Sequence, residues 1–296
     1  VRGFVNLPVG DTAALRVAAY YHTRDGYIEN AVTGNDVDSR DLNSFRVTFA
    51  SDLGERADFY IMYERFEEDD SRIRASKQIC SKAPTPTNIG GVPINNALTA
   101  GLLQQGCLPT PIAQKTGTVN SSATLGGLLG NLTGLVSGDA FAGVSAGGLR
   151  TTAAAFDPVY RAEQSLVQAG LNVDITDSLT LSFLTQYSDQ SVFSNEDYSK
   201  VTPNGTFNNI PAAPFNLLFP GGTVNDPQLG ASNVFRTFDL SRGDSTEFSQ
   251  EIRLQSDFEG PLNFTVGGIY LNFETVTDYY VFSNTLTANA QLQNFF

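Results

Sequence analysis

The sequence predicts an all-β fold, an antiparallel meander of about eight strands forming part of a transmembrane β-barrel. Three observations predict it. Apolar and polar residues alternate with a period of two along eight stretches. The composition suits strands and turns, with 27 Gly, 21 Phe and 11 Tyr beside a single Met and no Trp. The connections between the stretches alternate between short and long.

Residues 1–7, 13–28, 42–50, 57–67, 159–174, 179–191, 246–256 and 262–282 read as the strands. In the second, Leu15, Val17, Ala19 and Tyr21 face one way and Arg16, Ala18, Tyr20 and His22 the other. The fourth sets Phe59, Ile61 and Tyr63 against Asp58, Tyr60, Met62 and Glu64. The fifth sets Val167, Ala169, Leu171 and Val173 against Gln168, Gly170, Asn172 and Asp174. In the seventh, Ile252 and Leu254 oppose Glu251, Arg253 and Gln255. A soluble sheet with one buried face alternates in the same way, so this pattern alone does not establish a membrane.

The connections discriminate better. Residues 8–12, 51–56, 175–178 and 257–261 are short turns rich in Asp, Gly, Ser or Pro. Residues 29–41, 68–158 and 192–245 are long connections between them. A meander sends alternate connections to opposite ends of the sheet. One end is therefore trimmed and the other elaborate, as in an outer-membrane barrel with short periplasmic turns and long extracellular loops. A secreted or surface β-sandwich adhesin stays open as the soluble alternative. The stretches 13–28 and 262–282 exceed an ordinary strand of about five or six residues, whereas a tilted membrane strand needs about 9–11. Aromatics also stand where interface girdles belong. Phe4, Phe49, Phe59, Phe183 and Phe264 lie toward the short turns, and Tyr21, Tyr63, Tyr187 and Tyr270 toward the long loops.

Bulk properties narrow the function classes. The net charge of −13 argues against binding a nucleic-acid backbone, which needs clustered Lys and Arg. No window of 18 continuous apolar residues suggests a spanning helix. Residues 123–148 come nearest, but Asn131, Ser137, Asp139 and many glycines make a Gly/Ser/Ala-rich surface loop the expectation. The chain opens Val1-Arg2-Gly3-Phe4 in a strand-like pattern without an initiator Met, so either a removed leader or, as the first expectation, further sequence upstream is implied. Asn294 breaks the alternation near the other end, which places Phe296 in a further long loop.

Several segments resemble the barrel wall of TonB-dependent outer-membrane receptors. They are Arg2-Gly3-Phe4-Val5-Asn6-Leu7-Pro8, Leu15-Arg16-Val17-Ala18, YHTRDGY at residues 21–27 and FSQEIRLQS at residues 248–256. Gly260-Pro261-Leu262 and Gly267-Gly268-Ile269-Tyr270 continue the likeness. The resemblance takes in residues 1–296 as one partial barrel domain and implies a bacterial outer-membrane location, with outer-membrane lipid as one partner. It further implies active uptake of a scarce small-molecule ligand such as an iron–siderophore complex. In that family a barrel of about 22 strands encloses a plug, and the TonB inner-membrane complex engages an N-terminal region not present here. A passive outer-membrane porin is the alternative within the membrane class.

Cys80 and Cys107 both fall in the longest loop and are expected to form a disulfide, since that end faces an oxidising compartment. Without a nearby His they make a poor zinc site, and no cofactor or resident metal is expected. Glu67-Glu68-Asp69-Asp70 reads as a solvated rim, without EF-hand spacing. His22, the single histidine, reads as a hydrated wall residue. Arg16, Arg46, Arg161, Arg253, Glu64, Glu163 and Glu251 are expected to line the polar lumen face. A ligand vestibule is expected from residues 68–158 and 192–245, with Tyr63, Arg65, Glu67, Asp69, Tyr198, Phe207 and Phe215 as candidate contacts. No nucleophile–base arrangement or phosphate-cradling loop stands out, so no enzymatic activity is expected.

Overall fold

A computed structural model of the chain describes residues 1–74, 79–80, 84–103, 117–118, 125–136, 150–152, 154–197 and 207–295. Eight long strands build one antiparallel sheet. They are β1 (Arg2–Val9), β2 (Ala13–Arg24), β3 (Arg40–Asp52), β4 (Ala57–Asp70), β5 (Val159–Thr176), β6 (Leu179–Glu196), β7 (Thr237–Ser256) and β8 (Thr265–Ser283). Neighbours in sequence are neighbours in the sheet, and β1 and β8 are its edges. The predicted all-β meander is therefore the observed architecture.

The short connections all lie at one end. Gly10 and Gly54 take positive φ there, at 68° and 80°, which a tight turn demands and a side chain resists. At the same end the β5–β6 ladder slips between Asp174 and Thr176 before the turn into Leu179. Among the described residues no helix is long and apolar enough to cross a membrane, which says nothing of a crossing by strands.

Strand ends depart from the sequence reading where the chain rises toward the long connections. β7 starts at Thr237, well before residue 246. Its first half, TFDLSRGDS, has only Phe238 and Leu240 as large apolar residues, too short an alternation to mark a strand, yet its backbone pairs with β6 and β8 throughout. β2 ends at Arg24, short of residue 28. The chain turns at Asp25-Gly26, and Ile28–Asn30 joins a separate small sheet with Asp36–Val37 and Thr151–Thr152. Gly26 is required at that turn, since a Cβ would stand 2.4 Å from the Asp36 carbonyl carbon.

The long-connection end carries the one hydrophobic core found among the described residues. Helix α1 (Leu125–Leu132), helix α2 (Asn284–Phe295) and the hairpin Val224–Asp226/Gly230–Ser232 meet there. Leu135, Phe207, Phe219, Val224, Phe235, Ala288 and Leu292 form the core; Phe219 is 1% exposed and Val224 0%. Residues 125–132 are thus a packed helix and not surface loop, and Leu128 is buried. The helix fits because it is small on the packed side. A Cβ on Gly126 would meet Ser283 Oγ at 2.8 Å and the Phe235 ring at 3.0 Å. The residues following β8 run as α2 through Phe295, where a long loop was expected; Phe296 lies outside the described residues.

Candidate functional site

The ladder register sorts every wall side chain onto one of two faces. One row reads Leu15, Phe49, Ile61, Ala169, Thr185, Gln250, Tyr270 across β2 to β8. The next row on that face reads Val17, Val47, Tyr63, Val167, Tyr187, Phe248, Asn272. A row nearer the short turns contains Phe59, Leu171, Phe183 and Ile252. These side chains are not packed beneath anything: Val5 is 56% exposed, Ile61 48% and Tyr187 48%. Ring pairs tie the band together, with Phe49 to Phe59 at 5.8 Å and Phe45 to Tyr63 at 5.7 Å. The polar exceptions satisfy one another, since the Thr185 hydroxyl donates to Gln250 Oε1 at 2.6 Å.

The opposite face is polar at the same height. Its matching row reads Asn6, Arg16, Thr48, Met62, Gln168, Gln186, Ser249. Side chains hydrogen-bond along it. Tyr60 Oη donates to Gln168 Oε1 at 3.0 Å, and Gln168 Nε2 donates to Gln186 Oε1 at 3.0 Å. Arg46 Nε donates to Glu64 at 2.7 Å. Tyr60 lies over Gly170, where an added Cβ would stand 2.4 Å from its ring.

Near β1 this polar face forms a cavity of about 890 Å³. Arg2, Tyr20, Ser44 and Phe66 make one ladder row of it, and Phe4, Ala18, Arg46 and Glu64 the next. Arg16 completes the lining, with its guanidinium 4.0 Å above the Phe4 ring. Arg46 is held by Glu64, whereas neither Arg2 nor Arg16 has a carboxylate partner among the described residues.

The expected lumen-lining residues divide between the faces. Arg16, Arg46, Glu64, Glu251 and Arg253 fall on the polar face, as does His22, which stacks beside Tyr20. Arg161 and Glu163 are a correction. They pair with Asp69 and Glu67 and share a face with Val167. They stand above the apolar band, where polarity no longer marks the face. Of the expected vestibule contacts, Tyr63, Arg65, Glu67 and Asp69 alternate onto this same apolar-band side, away from the cavity. Arg65 there bonds Glu163, Glu67 at 3.0 Å and Ser165 at 3.1 Å, and Arg161 meets Asp69 at 3.2 Å. Phe207 is buried in the loop core, and Phe215, half-buried, packs against it. Tyr198 lies outside the described residues, and so does Cys107, with it the expected pairing to Cys80. Sequence reasoning missed Arg2, Phe4, Tyr20 and Phe66 as a group, although the parity of Arg16 on β2 and Arg46 on β3 could have found them.

Carboxylates tie the loops to one another and to the strand ends. Arg74 reaches Glu196 at 3.3 Å and also pairs with Asp239, whose other oxygen accepts from Tyr279 Oη at 3.0 Å. Asp157 accepts from Asn30 at 3.0 Å, Thr33 at 2.6 Å and Asn35 at 2.6 Å. Burial opposes its charge, but these three donors hold its carboxyl below the ordinary range. The same balance lowers Asp226, with Thr287 and the Leu229 and Gln228 amides as donors. It also lowers Asp38, where Tyr27, the Ile73 amide and Arg40 donate. Among the described residues no group of three or more His, Cys, Asp or Glu could hold a metal ion.

No family profile and no curated protein sequence matches this chain. Solved structures do. The siderophore receptor PiuA from Acinetobacter baumannii aligns with 93% of this chain and 28% of its own, at 14% identity and a TM-score of 0.49. The ferric yersiniabactin uptake receptor FyuA from Yersinia pestis aligns with 93% of this chain and 40% of its own, at 7% identity and a TM-score of 0.35. The ferric-catecholate import receptor Fiu from E. coli K12 aligns with 95% of this chain and 49% of its own, at 12% identity and a TM-score of 0.37. The chain therefore spans less than half the length of each of these receptors.

Proposed function

We propose that this chain is part of the wall of a transmembrane β-barrel in a bacterial outer membrane, residues 1–296 forming one partial barrel domain. The carrying observation is the inverted polarity of the sheet. Large apolar side chains stand uncovered on one face while the other is polar and hydrogen-bonded. A soluble sheet buries its apolar face, and an uncovered one of this extent is a surface made for lipid. From Ala57 to Tyr63 the apolar side of β4 runs about 20 Å along the strand, of the order of the ~25 Å outward band of such barrels. On this reading the polar face is the inner face. Arg65, Glu67 and Asp69 then stand at the height of the lipid headgroups on the outside, and the vestibule is lined by the opposite parity.

The finer reading is a TonB-dependent receptor that takes up a scarce small molecule such as an iron–siderophore complex, with TonB acting on a segment outside this chain. The likeness of residues 2–8, 21–27 and 248–256 to that wall supports it, as does the elaborate loop end. Uptake of labelled ferric siderophore by cells carrying the protein tests it. Accumulation that stops when TonB is removed is the expected result. Uptake indifferent to TonB, with a steady ohmic conductance in planar bilayers, indicates a passive porin. A chain that stays folded and soluble without detergent indicates a sandwich adhesin.

A further inference from the structure

Resting on the reading of the polar face as the inner face, we propose that β8 seats a folded protein element inside the barrel, one that presents apolar side chains flanked by Lys or Arg. The observation is a reversal of polarity on that one strand. β7 keeps the pattern of the wall, with Glu247, Ser249 and Glu251 on the polar face and Phe248 and Ile252 on the other. The ladder sets Phe273, Leu271 and Ile269 directly beside Glu247, Ser249 and Glu251, so β8 puts three successive large apolar residues on the polar face. They are 50%, 58% and 68% exposed. The β7–β8 ladder runs from Thr237 to Gln255 without a slip, so the reversal belongs to the sequence of β8 and not to a bulge.

Neither lipid nor a further strand covers these residues. Lipid meets the opposite face on this reading, and a strand added at the β8 edge pairs with its backbone and leaves both faces as they are. Water is a poor cover for three adjacent apolar side chains. An apolar contact from the inside does cover them, and the neighbours give its chemistry. Glu247 and Glu251 stand across the ladder from Phe273 and Ile269 and bracket the contact with carboxylates; Arg253 lies beyond them, beside Gly267. An element with Lys or Arg at either end of an apolar patch complements both glutamates, and an acidic one is repelled. In the row of Leu271 and Ser249, β5 and β6 carry Gln168 and Gln186, hydrogen-bonded to each other, so the seat does not extend that way.

Photo-crosslinking in the outer membranes of cells that make the whole protein tests this. The photoreactive residue p-benzoylphenylalanine replaces Leu271 and, in a separate variant, Tyr270, which faces the other way. Leu271 is expected to capture protein, at an apolar peptide with Lys or Arg beside it, and Tyr270 to capture lipid. Glu247→Lys with Glu251→Lys should cut the yield at Leu271 about tenfold or more, because like charges then face each other across the contact. A charge variant counts only when position 270 still captures lipid, which shows insertion. Glu247→Gln with Glu251→Gln, for which a smaller loss is expected, substitutes if the reversed pair fails to insert. No protein captured at Leu271, capture of a second copy of this chain, or a yield indifferent to the charge change overturns the proposal. Lipid at Tyr270 with no protein at Leu271 ends this inference and leaves the barrel reading standing; lipid at Leu271 ends both.

Discussion

The wall and the loop-end cap of this chain use the same apolar residue types in opposite ways. The cap gathers Phe219, Leu135, Val224 and Phe207 from segments far apart in sequence and shuts them from solvent. The wall leaves Val5, Ile61, Val167 and Phe248 uncovered and satisfies only its backbone and its polar face. One region folds as a soluble protein folds. The other, on the proposed reading, is finished only when a second, apolar solvent covers it. Stability in the cap is therefore internal, and stability in the wall depends on what surrounds it.

That difference can be broken from the cap side first, where the effect is largest. Phe219→Ala should cost about 3–5 kcal/mol of local packing, as for a fully buried aromatic. Amide hydrogen exchange should speed up across residues 207–236 and α2 while the β4–β5 ladder stays protected. Exchange rising equally in both regions would show that cap and wall are one cooperative unit.

A charge on the wall gives the next largest effect, and its size should depend on the face. Ile61→Arg places a cation in the apolar band, where such changes cost about 2–4 kcal/mol near the midplane. Ser249→Arg lies on the polar face between Glu247 and Glu251 and should cost little. Urea unfolding of vesicle-inserted protein measures both. Equal costs would erase the distinction between faces.

Acid should sharpen the comparison more gently. Asp38, Asp157 and Asp226 have carboxyls held below their ordinary range in the folded loops. Each binds a proton less readily folded than unfolded. Their contribution is therefore present above the ordinary carboxylate pKa of about 4 and is lost as pH falls through the lowered folded values. Loop amides around residues 28–38 and 224–232 should lose protection below about pH 4, before the wall ladders do. Asp157→Asn should remove part of that dependence for the first segment alone.

The wall was legible in the sequence because a sheet with one apolar and one polar face enforces parity: Leu15, Val17, Ile61, Val167 and Ile252 alternate with polar neighbours. Legibility fails where the enforcement stops. Thr237 to Ser245 of β7 stands beyond the band and alternates only at Phe238 and Leu240, too briefly to mark a strand. Charge alone suggests that Arg161 and Glu163 line the polar face, whereas their parity with Val167 puts them on the apolar-band side. The cap was least legible. Nothing local to Phe207 shows that Leu135 and Leu292 join it in a buried core. The cationic cavity needed three strands in register before Arg2, Arg16 and Arg46 met.

The most direct test of the account asks which face the lipid touches. The chain has no tryptophan, so Val167→Trp and Gln168→Trp each carry a single reporter, on adjacent residues and opposite faces. Both variants are inserted into vesicles whose acyl chains are brominated at mid-depth. The account predicts strong quenching of Val167→Trp emission and little for Gln168→Trp. Quenching of Gln168→Trp alone, or of neither, would contradict a wall whose apolar face meets the membrane.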